Sequence, residues 1–138
     1  MKLASGFLEE AKQDFELERW RSCVSNGQLS VENSGKAILM IFGVSPKTHD
    51  PARHLAALVA TGKVPAPLLP KIKEILPDLI TLGFDQHGLT DYGDESSYAL
   101  PWDIFDQESA SMALHTAKEP RLLADQIVSD VAKWREEQ

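Results

Sequence analysis

Residues 20–43 read WRSCVSNGQLSVENSGKAILMIFG, and this stretch decides the fold class. Its apolar and small residues recur at steps of three and four, which is the spacing of one face of an α-helix. They are Trp20, Val24, Gly27, Val31, Gly35, Ile38 and Phe42. Gly43 then ends the pattern, and Pro46 prevents its continuation. The stretch therefore predicts one long helix.

Part of this predicted helix carries small residues, namely Gly27, Ser30, Ser34 and Gly35. Glycine inside a helix costs about 1 kcal/mol relative to alanine, so its use there needs a reason. Small side chains allow a second helix to approach closely. The second helix belongs either to the same chain or to another subunit, and the pattern leaves both open. We predict a homodimer with a contact through this face.

A helix is also predicted before this segment. Leu3, Phe7, Ala11 and Phe15 recur every four residues and give one apolar stripe. The stripe predicts a first helix from about Lys2 to Glu18, followed by a tight turn.

Two further helices are predicted in the middle of the chain. Asp50 followed by Pro51 has the pattern of an N-cap before a proline in the first helical position, and it predicts a third helix. This helix should end near Gly62. A fourth helix is predicted from about Leu68 to Leu82, with a buried face formed by Ile72, Ile75, Leu76, Leu79 and Ile80.

The last helical region is predicted from about Asp106 to Lys133, and Pro120 should bend or break it. Between Phe84 and Pro101 the periodicity is lost, which predicts a long loop. No strand pattern separates the helices, so a βαβ fold is excluded. The sequence predicts an all-α fold, an up-and-down antiparallel bundle of about five helices.

Length and composition fit a single cytosolic domain over residues 1–138. Apolar residues make up 43% of the chain and charged residues 25%, values that are normal for a globular protein. Cys23 is the one cysteine, so it forms no intrachain disulfide, and we predict an inert buried thiol. The first ten residues do not resemble a signal peptide, and no apolar run reaches the roughly 20 residues of a membrane span.

The net charge of −7 is unevenly distributed. From Lys36 to Lys73 there are six Lys or Arg residues and one acid, whereas from Glu74 to Ala117 there are nine acids and no Lys or Arg. The acidic total argues against non-specific binding along a nucleic-acid backbone. The basic middle segment leaves room for one local phosphate site, and a solvated helix face is the alternative.

Several segments share the pattern of one family. Residues 28–39 have the spacing Gln-x-x-x-Glu-x-x-x-Lys-Ala, and residues 43–50 have the turn Gly…Pro-x-Thr-His-Asp. Residues 89–94 look like that family's late loop, Arg-Tyr-Pro/Gly-Asp, and residues 101–102 and 106–117 look like its alanine-rich closing helix. On these residues the chain resembles the HEPN family (higher eukaryotes and prokaryotes nucleotide-binding) from about Leu3 to Ala117.

The resemblance implies a helical bundle that often dimerises and is often paired with a minimal nucleotidyltransferase in a toxin–antitoxin-like system. Many members are ribonucleases with an Arg followed five to seven positions later by a His. No Arg here meets that spacing, as the positions of Arg19, Arg21, Arg53, Arg121 and Arg135 show. Asp91 also stands where many relatives have Arg. The resemblance therefore implies a non-catalytic member, with no catalytic residues assigned.

The best candidate binding residues lie around the predicted start of the third helix. Lys47, His49 and Arg53 would surround the helix N-terminus, which favours phosphate, although the Thr48-His49-Asp50 turn is equally explained as a cap. We predict no metal site and no cofactor. The predicted function is a homodimeric module that pairs with a nucleotidyltransferase or binds a nucleotide or RNA, with no membrane partner. The alternatives are a ribonuclease toxin with a non-standard site and a purely structural scaffold.

Overall fold

The computed structural model describes residues 1–44, 50–81 and 105–138. In these ranges the helices are α1 (Lys2–Glu16), α2 (Trp20–Ile41), α3 (Pro51–Ala60), α4 (Leu69–Thr81) and α5 (Gln107–Glu136). A short 3-10 turn, Ala66–Leu68, leads into α4. The described part of the chain contains no strand, and the prediction of an all-α bundle of about five helices is confirmed. The predicted loop over 84–101 lies outside the described residues.

The central element is α2, which packs against α1, α3, α4 and α5. It runs antiparallel to α1 after a tight turn in which Glu18 has a positive φ of 59°. The Ser30 hydroxyl donates to the Ala4 carbonyl at 2.7 Å, and the Asn26 amide donates to the Asp14 carboxylate at 2.7 Å. At its C-terminal end, Gly43 has a φ of 83°, so glycine ends the helix as predicted.

The buried face of α1 differs from the predicted stripe. The buried residues are Ala4, Leu8, Ala11 and Asp14, whereas Leu3 is 66% exposed. Small residues at positions 4 and 11 let the α1 backbone approach α2 closely, as the hydrogen bond from Ser30 to Ala4 requires. This close approach rotates the bulkier Leu3 toward solvent, so the predicted stripe is wrong at that position.

Neighbouring helices of the same chain occupy the space beside the small residues of α2. A Cβ at Gly27 would lie 3.4 Å from the Ala113 carbonyl oxygen of α5. A Cβ at Gly35 would lie 2.8 Å from both Cβ and Cγ of Pro51, at the start of α3. Ser30 and Ser34 are also fully buried. The predicted dimer contact through this face is therefore wrong, because intramolecular helices occupy it.

The fully buried Pro120 lies inside the continuous helix α5. Proline removes one backbone hydrogen bond and crowds the preceding turn, at a cost of about 3 kcal/mol or more. The buried neighbours Ala117, Leu123 and Ala124 hold the helix on both sides of the proline and offset that cost. Of the two predicted effects of Pro120, the break is wrong, because the helix is continuous, and the bend stays a prediction.

Two polar contacts fix the C-terminal half of α5. The Lys71 ammonium of α4 lies 2.7 Å from the Asp130 carboxylate. The Arg135 guanidinium donates to the Ile41 carbonyl in the last turn of α2. A cation at a helix C-terminus is favourable because the free carbonyls there carry partial negative charge.

The buried face of α4 is formed by Ile72, Ile75 and Leu79, as predicted, whereas Ile80 is 68% exposed. A helix of 3.6 residues per turn places position 80 beyond the edge of the face defined by the other three residues. Among the helices of the described ranges, none has the length and apolar character needed to cross a membrane.

Candidate phosphate site at the start of α3

The start of α3 has the cap that the sequence predicts. Asp50 is the N-cap, and its carboxylate accepts a hydrogen bond from the Arg53 backbone N–H at 3.4 Å. Pro51 follows in the first helical position, where the missing N–H has no helical partner to lose. The predicted cap is confirmed.

The N-terminus of α3 is held against the middle of α2. Pro51 is buried on Gly35, where the absence of a Cβ leaves room for the proline ring. Ala52 and Leu55 are buried as well, so one face of the first two turns of α3 is anchored in the core. The opposite face carries Arg53 and His54, which are both exposed. The fold therefore presents two basic or titratable side chains at a rigid helix start.

Among the three predicted site residues, Arg53 lies within the described part of the chain. Its guanidinium lies on the exposed face of the first turn of α3. Lys47 and His49 lie outside the described residues, as does Thr48 of the predicted turn. The prediction that Lys47, His49 and Arg53 converge on one phosphate stays a prediction.

An ion pair on α2 lies next to this site. The Lys36 ammonium is 3.7 Å from the Glu32 carboxylate, and their side chains are 26% and 10% exposed. The pair is separated by one helical turn, and Gly35, the seat of Pro51, directly precedes Lys36. Much of the Lys36 charge is therefore already compensated inside the protein.

The electrostatics at the start of α3 are mixed. The free N–H groups and the helix dipole attract an anion there, and Arg53 adds a full positive charge. The Asp50 carboxylate occupies one of the N–H groups and repels a second anion. A phosphate would bind there only if cations close to Asp50 outweigh that repulsion.

A recess of about 460 Å³ lies between α4 and α5, away from the start of α3. Its titratable lining residues are Lys71, Glu74, His115, Lys118 and Glu119, and its apolar lining residues are Leu122 and Leu123. Lys71 is engaged with Asp130, whereas His115 and Lys118 are exposed. This recess has no signature in the sequence, because its two walls are far apart in the chain and only their packing brings them together.

Acid–acid repulsion is present at the same helix pair. Burial and the nearby Glu119 carboxylate raise the pKa of Asp78. Two neighbouring acids on α4 and α5 make this side of the bundle less favourable for phosphate than the cations of the recess alone would suggest.

The Cys23 thiol is buried on α2 and donates to the Ala110 carbonyl of α5 at 3.7 Å. Burial, with a smaller contribution from the Asp14 carboxylate, raises the pKa of Cys23 to about 11. A thiol with such a pKa is a poor nucleophile at neutral pH. The prediction of an inert buried thiol agrees with this environment.

A comparison with protein-family models gives a match to the HEPN domain over residues 1–124. The matched range includes α1 to α4 and the first part of α5. A comparison with curated proteins gives no match.

Proposed function

The chain belongs to the HEPN domain family, and from this membership we propose that it is a non-catalytic module that binds a nucleotide phosphate at the start of α3. The family match supports the broader class, a nucleotide-binding or ribonuclease-type module. The single observation that supports the site is the exposed Arg53 on a capped helix start that is anchored on Gly35. Lys47 and His49 complete the proposed site.

The non-catalytic part of the proposal rests on the sequence. The spacing of Arg and His residues that the family's ribonucleases use does not occur in this chain. Acid–base cleavage of RNA needs a group that moves a proton and a group that stabilises the charged transition state. His49 and Arg53 are only four positions apart and lie in the order opposite to that motif.

The proposed assembly is a homodimer that works with a minimal nucleotidyltransferase, in a toxin–antitoxin-like pair in the cytoplasm. The lone thiol of Cys23 is compatible with a reducing compartment. Co-expression with a nucleotidyltransferase encoded beside this gene, followed by co-purification, tests the pairing. Absence of a complex at micromolar concentration would reject the pairing and leave nucleotide binding as a separate question.

Calorimetric titration with ATP and with inorganic phosphate tests the site. We expect Arg53→Ala to weaken ATP binding about tenfold or more, which corresponds to about 1.4 kcal/mol. Lys63→Ala is the matched control, because Lys63 is an exposed cation just beyond the opposite end of the same helix. The control should bind ATP as tightly as the unchanged protein.

Two other results would reject this site. If ATP does not bind, the nucleotide proposal is wrong. If ATP binds equally well to Arg53→Ala and His49→Ala but weakly to Lys118→Ala, the phosphate lies in the recess between α4 and α5.

The second candidate function is a ribonuclease with a non-standard site, which the family match alone leaves open. Incubation with structured and unstructured RNA distinguishes the two functions. We expect no cleavage. Cleavage that is lost in His49→Ala would make the ribonuclease the correct function. Absence of cleavage, nucleotide binding and partner binding together would leave a structural scaffold.

A further inference from the structure

The two halves of α5 pack into different hydrophobic clusters. The N-terminal half contributes Ala110 and Ala113 to a small cluster with Ala11, Cys23, Val24 and Phe105. The rest of α5, from Ala117 onward, packs into the large cluster, which also contains residues of α2, α3 and α4. The residues that α5 contributes there are Ala117, Leu123, Ala124, Ile127 and Val131. Leu114 is half-buried and contacts both clusters. The boundary between the clusters thus falls within α5.

The buried residues that α5 contributes to the small cluster are two alanines. Alanine buries little apolar area, and hydrophobic stabilisation is roughly proportional to the area removed from water. One side-chain hydrogen bond that crosses from α2 to this half is the donation from the Cys23 thiol to the Ala110 carbonyl, and a thiol is a weak donor. The C-terminal half, in contrast, has the Lys71–Asp130 ion pair and the Arg135 contact with α2.

Pro120 lies near this boundary. Because proline has no N–H, the Thr116 carbonyl lacks the hydrogen bond that would otherwise join the turns on either side. The N-terminal half has its own cap, since the Asp106 carboxylate accepts from the Ser109 backbone N–H at 2.9 Å. Residues 107–115 therefore form a capped helical segment that is linked to the rest of α5 at the weakened turn 116–120.

We propose that residues 107–115, here called the strap, lift from α1 and α2 by bending in the turn that precedes Pro120, while the large cluster, which includes Ala117, stays folded. In the closed form, the strap covers Cys23 and Gly27 of α2. In the open form, these positions and the apolar residues Ala11 and Val24 face solvent. The strap is thus a conformational device that controls access to one face of the central helix.

Cys23 is a built-in reporter of this opening, because its side chain is fully buried in the closed form. The test measures the rate at which the Cys23 thiol reacts with a small disulfide reagent as the urea concentration increases. The reagent concentration is kept low enough that the strap closes again faster than the thiol reacts. The slope of this rate with urea reports the surface exposed in the reactive form. The slope and free energy of global unfolding are measured by circular dichroism in the same buffers.

We expect Cys23 to react through an opening that exposes less surface than global unfolding, so its urea slope should be about half the global slope or less. If the slope and the free energy from thiol reaction both equal those of global unfolding, the strap does not open separately and the proposal is wrong.

Pro120→Ala tests the bending point. The alanine supplies an N–H to the Thr116 carbonyl, and one backbone hydrogen bond corresponds to a change of about threefold to tenfold in an opening equilibrium. We therefore compare two equilibrium constants of the same variant, one for the opening that exposes Cys23 and one for global unfolding. The first divided by the second should fall by that factor. This ratio corrects for any loss of packing around the buried residue 120.

Pro77→Ala is the matched control, because Pro77 also lies inside a helix but in α4, outside the strap. Its ratio should equal that of the unchanged protein. Equal changes in both variants, or no change in Pro120→Ala, would contradict a bend at Pro120.

Discussion

Gly35 is a point of close contact between α2 and α3. The ring of Pro51 occupies the space that a side chain would need, and Leu79 of α4 approaches the same point, with its Cδ2 3.2 Å from a Cβ built at position 35. Three helices therefore meet at a residue without a side chain. The helix propensity lost at Gly35 is the cost of this contact.

Gly35→Leu should destabilise the fold by about 1–3 kcal/mol or more, because the added side chain has no space between Pro51 and Leu79. Urea unfolding followed by circular dichroism measures the loss. Gly6→Ala is the matched control, since a Cβ there meets nothing within 4 Å. The control should gain up to about 1 kcal/mol from helix propensity. A fully stable Gly35→Leu protein would contradict the packing described for this residue.

The Cys23 thiol gives the stability a dependence on alkaline pH. Its pKa rises from an ordinary 9.0 to about 11 in the folded protein, mainly because of burial. The neutral thiol thus favours the folded state fully below pH 9.0, and this contribution is lost as the pH rises toward 11.

The free energy of unfolding should therefore fall more steeply between pH 8.5 and 10.5 in the unchanged protein than in Cys23→Ala. Urea unfolding at several pH values measures both slopes, and subtraction removes the contribution of the other titrating groups. Parallel slopes in the two proteins would mean that the thiol ionises as easily in the folded state as in the unfolded chain.

At the scale of helices, the pair α4 and α5 combines attraction and repulsion. Lys71 and Asp130 attract each other near the start of α4, whereas Asp78, toward the end of α4, is close enough to Glu119 for repulsion to raise its pKa, in addition to the effect of burial. The ionised form of Asp78 is therefore unfavourable in the folded state.

Asp78→Asn should stabilise the protein at pH 7 by less than about 1 kcal/mol, because the half-exposed position is screened by water. A raised pKa of a carboxyl favours folding only when the group is protonated, so the gain should vanish as the pH falls below its ordinary value of 3.8. Thermal unfolding at pH 7 and pH 3.5 measures this. Glu119→Gln should reduce the gain from Asp78→Asn, whereas an unchanged gain would exclude coupling between the two acids.

The helices themselves were predictable from the sequence, because caps, glycine stops and apolar periodicity are local signals. The cap at Asp50 and the stop at Gly43 are examples. The rotation of α1 was not predictable, since the close approach at Ala4 depends on its partner Ser30 in α2. The continuity of α5 through Pro120 likewise depends on buried neighbours, which a rule about proline alone does not include.

The candidate site was predictable only in part, because tertiary packing decides which side chains meet. The helix start and the exposure of Arg53 follow from the Asp50-Pro51 pattern. The recess that contains Lys118 joins two helices separated by a long segment of chain, so no sequence spacing identifies it.

At the scale of the whole molecule, the oligomeric state can be tested directly. The proposed homodimer should have twice the chain mass of 15.3 kDa by light scattering. Gly27→Ala should leave that mass unchanged, because Gly27 faces Ala113 of the same chain at a distance that a methyl group tolerates. A monomeric mass for the unchanged protein would reject the dimer. Loss of the dimer in a folded Gly27→Ala would place this face in the interface after all.

The prediction of a single domain over residues 1–138 can be tested in the same preparation. One cooperative transition on heating, with equal calorimetric and van't Hoff enthalpies, is expected for one domain. Two separate transitions would divide the chain into independently folding units.

The contact between Cys23 and Ala110 joins residues that are 87 positions apart. A ribosome adds about 5–20 residues per second, so α2 leaves the exit tunnel roughly 4–17 s before the segment that covers it. During that interval the nascent hairpin of α1 and α2 presents an uncovered apolar face. Chaperone binding to the growing chain should therefore be strongest before α5 emerges, and slower translation of the intervening codons should increase aggregation.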